Sequence, residues 1–156
     1  MSQTPVLAPI AGRAVALAEV PDPVFAQGMV GYGAAVDPPR QVVDAVAPVS
    51  GKLLKLMPHA YVIMTADNVG VLVHLGLDTV QLNGAGFTAH VAQGDTVTAG
   101  EKMITYDVPA IIAAAFSPIV PVVVMDEREA SNVVVADAVN AGSEIAGSAL
   151  LFTSNK

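Results

Sequence analysis

The chain contains no cysteine and no tryptophan among its 156 residues. Without cysteine there are no disulfides, no thiolate metal sites and no thiol catalysis, and the composition fits the cytoplasm. With no tryptophan and only 4% aromatic residues, a broad carbohydrate-stacking platform is not expected. Basic residues are scarce: 7 Lys and Arg face 14 Asp and Glu, for a net charge of −7. Nucleic-acid binding depends on neutralising phosphates, so this balance argues against such a partner and suits docking on basic proteins. No apolar run approaches the roughly 20 residues needed to span a bilayer, because Pro and Gly interrupt every hydrophobic stretch. No basic segment followed by an apolar stretch opens the chain, so neither a secretion signal nor membrane insertion is expected.

Apolar residues make up 53% of the chain, enough at this length for one domain, residues 1–156, with a sizeable core. Val, Ile, Leu and Thr cluster in runs of about four to six closed by Gly, Pro, Asp or Asn. The runs are Arg13–Leu17, Lys52–Leu56, Tyr61–Thr65, Val69–His74, Val97–Thr98, Met103–Asp107, Val120–Val124 and Leu150–Thr153. Such spacing predicts an all-β, antiparallel sandwich. Helices are expected over Val108–Ala115, with Pro109 near its start, and over Asp126–Val139. Two internal echoes predict pseudo-symmetry. Ala8-Pro9-Ile10-Ala11-Gly12-Arg13 repeats as Ala47-Pro48-Val49-Ser50-Gly51-Lys52, and Gly94–Gly100 resembles Gly142–Gly147.

The chemistry-bearing residues are few. Of three histidines, His90 lies in a polar stretch and reads as a surface residue. His74 ends an apolar run in which Val71 and Val73 alternate with Leu72 and His74; in a strand, His74 shares a face with Leu72. Gly76 allows the backbone to turn closely under the ring, where a carbonyl can accept from Nδ1–H and leave Nε2 free as a nucleophile. His59 begins the apolar run that leads through Ala66-Asp67-Asn68 to the His74 run. A hairpin would bring the two imidazoles across from one another. Such a pair either binds a metal or handles a phosphoryl group.

The order of motifs along the chain resembles enzyme IIA of the glucose class of the bacterial sugar phosphotransferase system. The resemblance is carried by Ala8–Gly12, Val20–Phe25, Met29–Gly33, Val46–Gly51, Pro58-His59-Ala60, Val73–Val80, Gly84–Phe87, Gly94–Val97 and Ser117–Val123. It implies that the phosphocarrier HPr phosphorylates His74 at Nε2, and that His74 passes the group to a cysteine of a IIB domain serving sugar uptake. It implies that His59 donates a hydrogen bond to the phosphoryl oxygens, with Gly76 orienting the ring and Asp78 beside it. No cofactor is implied. Asp22, Asp78 and Asp126 match acidic positions that meet arginines on the partners. The matching apolar patch is Val24, Phe25, Met29, Val30, Met57, Leu72 and Val80, a dry centre with a charged rim.

The chain departs from the family pattern at three places. Met57-Pro58 stands where many members have a threonine shortly before the first histidine, Tyr32 replaces an acidic residue, and Ala85 replaces a glutamate. An N-terminal amphipathic extension of the kind some members use at membranes is not expected here. Regulatory binding of other proteins is the alternative role of this fold, and a transient zinc ion on His59 and His74 is a further option. A LytM-type zinc peptidase needs a His-x-His pair, which His74-Leu75-Gly76 does not supply. A lipoyl or biotinyl carrier needs a lysine at a hairpin tip, where this chain has Asp67-Asn68.

Overall fold

A computed structural model describes residues 3–155. The chain opens with β1 (Thr4–Leu7) and β2 (Gly12–Ala16), a 3-10 turn at Leu17–Glu19, helix α1 (Pro23–Ala26) and β3 (Gly31–Asp37). Seven strands follow, β4 (Val42–Val46), β5 (Gly51–Met57), β6 (Ala60–Met64), β7 (Gly70–His74), β8 (Phe87–Ala89), β9 (Thr96–Val97) and β10 (Lys102–Asp107), with a 3-10 turn at Thr79–Leu82 between β7 and β8. The chain then forms α2 (Val108–Ala113), β11 (Val120–Met125), β12 (Val133–Val135), α3 (Asp137–Ala141), β13 (Glu144–Ile145) and β14 (Leu150–Ser154).

The pairing is antiparallel throughout one eight-stranded sheet, ordered β13-β2-β3-β11-β7-β6-β5-β9, and two three-stranded sheets, β1-β14-β12 and β4-β10-β8. The sequence echoes become a pseudo-two-fold. Gly12 and Arg13 pair with Ile145 and Glu144, as Gly51 and Lys52 pair with Val97 and Thr96. The two Ala-Pro segments cross reciprocally: Leu7 N–H donates to the Pro48 carbonyl at 2.9 Å and Val46 N–H to that of Pro9 at 2.8 Å. The expected antiparallel, pseudo-symmetric sandwich is therefore observed.

Period-two alternation places the core. Ala34, Val36, Tyr61, Ile63, Val71, Val73, Val122 and Val124 face the small sheets and, with Phe152 and Ile104, form the main cluster. Their neighbours Ala35, Ala60, Val62, Leu72 and Val123 face the other way. There Leu17, Val20 and Phe25, from the connection between β2 and β3, cover them as a second cluster.

Two local expectations are corrected. Asp126–Val139 is not one helix. Asp126 has φ +63°, a 3-10 turn occupies Ala130–Asn132, and Val133–Val135 pairs with β14 as a strand. Three consecutive β-branched residues carry little helical preference, and a ladder partner decides the outcome. Only Asp137–Ala141 is helical, ending at Gly142 with φ +63°. The second correction concerns His59. It does not begin a strand: with Pro58 it forms the two-residue turn between Met57 and Ala60, which are paired. The helix at Val108 forms as expected and stops at Ala113, with Ala115 at φ +70°.

Candidate functional site

The β6–β7 hairpin forms around the expected turn, with Ala60 opposite His74. His59 therefore lies one position beyond the ladder, opposite Leu75, whose N–H donates to the His59 carbonyl at 2.7 Å. This bond ties the two histidine segments together. The rings meet edge to face, with centroids 5.0 Å apart and planes at 72°. His74, half-buried, points to the Leu72 face and packs against Phe25 at 5.4 Å between centroids. His59 is 6% exposed. Its other side meets Phe87 edge-on at 6.5 Å, and Phe87 stacks on Tyr106 at 5.6 Å. Aromatic packing thus grips a ring that here has Met57-Pro58 before it rather than a threonine.

The tautomer of His74 is set by the backbone. Its Nδ1–H donates to the Gly76 carbonyl at 2.5 Å, so in the neutral ring Nε2 holds a lone pair. Gly76 adopts φ +83°, and a Cβ there would lie 2.6 Å from Thr79 Cγ2 and 3.0 Å from the Ser117 carbonyl. The loop is held from below. Gly76 N–H donates to the Ile119 carbonyl at 3.1 Å and Leu77 N–H to that of Ser117 at 3.0 Å. Tyr106 Oη–H donates to the intervening Pro118 carbonyl at 2.8 Å.

Burial pushes the His74 pKa down. The bond to the Gly76 carbonyl and the charges of Asp22 and Asp78 oppose that shift without reversing it. Burial also lowers the His59 pKa, and repulsion from His74 adds to the effect. Both rings are thereby biased toward the neutral, uncharged form.

The acidic and apolar residues expected around the pair divide into rim and floor. Asp22 caps α1, accepting from Val24 N–H at 2.9 Å, and Pro23 opens the helix. Asp78 is exposed, with φ +60°, just before the 3-10 turn Thr79–Leu82. Val24, Met29 and Val80 are exposed, and Val30 and Met57 are half-buried. Phe25 and Leu72 are buried, so they support the patch from within rather than present themselves to a partner. Asp126 is exposed and tied to this region through its N–H, which donates to the Val30 carbonyl at 3.0 Å; Arg128 lies 3.8 Å from its carboxylate. His90 is exposed, as expected, with Nε2 2.6 Å from Thr105 Oγ1. Among the described residues no group of three or more His, Asp or Glu is arranged to hold a metal ion, so zinc on the two imidazoles would need a ligand from outside the chain. No described helix is long and apolar enough to cross a membrane.

Thr79, Phe87, Tyr106 and Ser117–Ile119 shape this site, yet sequence reasoning gave them no role. Phe87 and Tyr106 are distant in the chain from the groups they position, and Ser117–Ile119 act through backbone atoms, whereas Thr79 lies four residues from the Leu75 carbonyl it holds, inside the Val73–Val80 motif.

Residues 4–130, which include both site histidines, match the family described as phosphoenolpyruvate-dependent sugar phosphotransferase system, EIIA 1. The chain is similar to the glucose-specific EIIA component of Oceanobacillus iheyensis, 43% identical over 137 residues that cover 85% of this chain and 82% of that one. It is also similar to the mannose-specific EIIBCA component of Corynebacterium glutamicum. There the identity is 38% over 142 residues, which cover 90% of this chain and 21% of that larger protein. The fold matches the glucose permease IIA of Mycoplasma capricolum with a TM-score of 0.85 and 34% identity, covering 98% of this chain and 96% of that one. The chain therefore belongs to the EIIA 1 family of the phosphoenolpyruvate-dependent sugar phosphotransferase system, as a phosphoryl-carrying component.

Proposed function

We propose that residues 1–156 act as one cytoplasmic IIA domain that takes a phosphoryl group from phospho-HPr onto His74 Nε2 and passes it to a cysteine of a IIB domain. The observation that carries this reading is the bond from His74 Nδ1–H to the Gly76 carbonyl, 2.5 Å, with the His59 ring 5.0 Å away. In the first step a bond forms from His74 Nε2 to phosphorus as the nitrogen–phosphorus bond on HPr breaks. The donor imidazole leaves with its electron pair, and no proton has to leave His74. In the second step the cysteine thiolate takes the phosphoryl group and His74 returns to the neutral ring. A ring N–H of His59 donates to the phosphoryl oxygens. The Gly76 carbonyl keeps Nδ1 protonated throughout, so its electron density supports the charge that the ring carries in transfer. In-line placement and charge stabilisation are the main requirements of such a step.

Partners dock on the exposed Val24, Met29 and Val80 around the histidines, with Asp22, Asp78 and Asp126 meeting their basic residues. Incubation with phosphoenolpyruvate, enzyme I and HPr should give an acid-labile, base-stable phosphate. His74→Ala should abolish it, and His59→Gln should still accept phosphate but pass it on poorly. Undiminished labelling of His74→Ala would sink the assignment.

A further inference from the structure

The loop carrying His74 contains a hydroxyl that takes no part in the transfer chemistry. Thr79 is 0% exposed, and its Oγ1–H donates to the Leu75 carbonyl at 2.7 Å. Leu75 separates His74 from Gly76, the residue whose carbonyl orients the ring. Leu75 is therefore held at both ends, its N–H by the His59 carbonyl and its carbonyl by Thr79. The other branch of the same side chain is also used. The Thr79 methyl lies directly under Gly76, 2.6 Å from where a Cβ would stand.

We propose that Thr79 is a positioning residue for phosphoryl transfer: its hydroxyl and methyl together fix the Leu75–Gly76 backbone, and so hold the Gly76 carbonyl where it keeps His74 Nε2 free. The proposal rests on His74 being the phosphoryl acceptor. The two branches make separate demands. Valine supplies the methyl but leaves the Leu75 carbonyl unpaired in a place closed to water, where an unmet acceptor drives the backbone to rearrange. Serine supplies the hydroxyl and gives up only the methyl contact. A backbone swing of about 1 Å at a reacting group is enough to cost on the order of 100-fold in rate.

The test compares Thr79→Val and Thr79→Ser with the unaltered full chain. The nitrogen shifts of His74 report which ring nitrogen carries the proton, a signal that a merely structural role would not move. Thr79→Val should show a mixed tautomer, and His74 should titrate at lower pH than in the unaltered protein, because the Gly76 carbonyl no longer favours the charged ring. Its phosphorylation by phospho-HPr should slow about 10- to 100-fold. Thr79→Ser should keep the tautomer and lose less than about 3-fold, a small change in barrier. If Thr79→Val does not fold, Thr79→Ala against Thr79→Ser decides, since both lack the methyl and differ only in the hydroxyl. Equal tautomers and equal rates in that pair, or a folded Thr79→Val with unchanged shifts and rate, would overturn the proposal. Failure of the underlying reading would look different: His74→Ala would still take up phosphate.

Discussion

Replacing Gly76 by alanine tests the site at its most constrained backbone position. The substitution carries two costs that an internal control can separate. The first is conformational: Gly76 has φ +83°, where an L-residue with a Cβ costs about 1–2 kcal/mol. The second is steric. The new methyl would lie 2.6 Å from Thr79 Cγ2, 3.0 Å from the Ser117 carbonyl and 3.2 Å from Tyr106 Oη. None of these neighbours is a free surface end: Thr79 and Tyr106 are buried and hydrogen-bonded, and Ser117 contributes backbone. Overpacking of this kind costs about 1–3 kcal/mol, which makes the sum roughly 2–5 kcal/mol. In a chain of this size each kcal/mol moves the melting temperature by about 2–4 °C, so a drop of about 4–20 °C is expected. Gly94 supplies the control. It has φ +97° but no atom within 4 Å of its would-be Cβ, so Gly94→Ala should show the conformational cost alone, about 1–2 kcal/mol. Calorimetric melting of both variants measures the difference. Phosphorylation by phospho-HPr measures the function, which should fall about 10- to 100-fold for Gly76→Ala and not at all for Gly94→Ala. Equal melting temperatures for the two variants, or normal phosphorylation of Gly76→Ala, would refute the reasoning.

Acidification should weaken the fold in a window set by the histidines. His59 and His74 have lowered pKa values when folded, so below about 6.5, the ordinary histidine value, the unfolded chain binds more protons. Stability should then fall as pH drops from about 6.5 through the folded values. Urea midpoints at pH 7.5 and 5.5 should differ less in a His59→Gln, His74→Gln double variant; an identical difference would count against burial as the cause. Asp22 has separable duties, because it caps α1 and acts electrostatically on His74. Asn is as good a cap, so Asp22→Asn should keep stability within about 0.5 kcal/mol while lowering the His74 pKa further and slowing association with HPr. Asp22→Ala should in addition lose about 1 kcal/mol. Tyr61 lies on the opposite face of β6, 0% exposed, with its hydroxyl donating to the Val46 carbonyl at 2.8 Å, and burial pushes its ionisation far above the ordinary range. Tyr61→Phe should lower stability by about 1 kcal/mol and leave phosphorylation unchanged. A slower transfer would mean that the two faces of the sheet are coupled.

The sequence by itself determined the features that repeat at short range. Alternation of Val71, Leu72, Val73 and His74 assigns His74 to one face of a strand, because side chains in a strand alternate with a period of two. The paired Ala-Pro and Gly segments announced a pseudo-symmetric sandwich, and the Gly76 turn announced a carbonyl under the ring. Composition excluded thiol chemistry outright. Tertiary structure decided what depends on partners distant in the chain. Val133–Val135 is a strand because β14 offers it a ladder, a fact that no propensity within Asp126–Val139 contains. His59 faces Leu75 rather than His74 because the turn at Pro58-His59 and the Ala60 register place it one position beyond the ladder. Phe25 and Leu72 became floor rather than surface because the connection between β2 and β3 folds over the sheet. Ser117–Ile119, about forty residues downstream, came to hold the Gly76 loop through backbone bonds alone. Those bonds place no demand on side-chain identity, so the Ser117–Val123 motif marks the segment as part of the family pattern without revealing that its backbone holds the Gly76 loop.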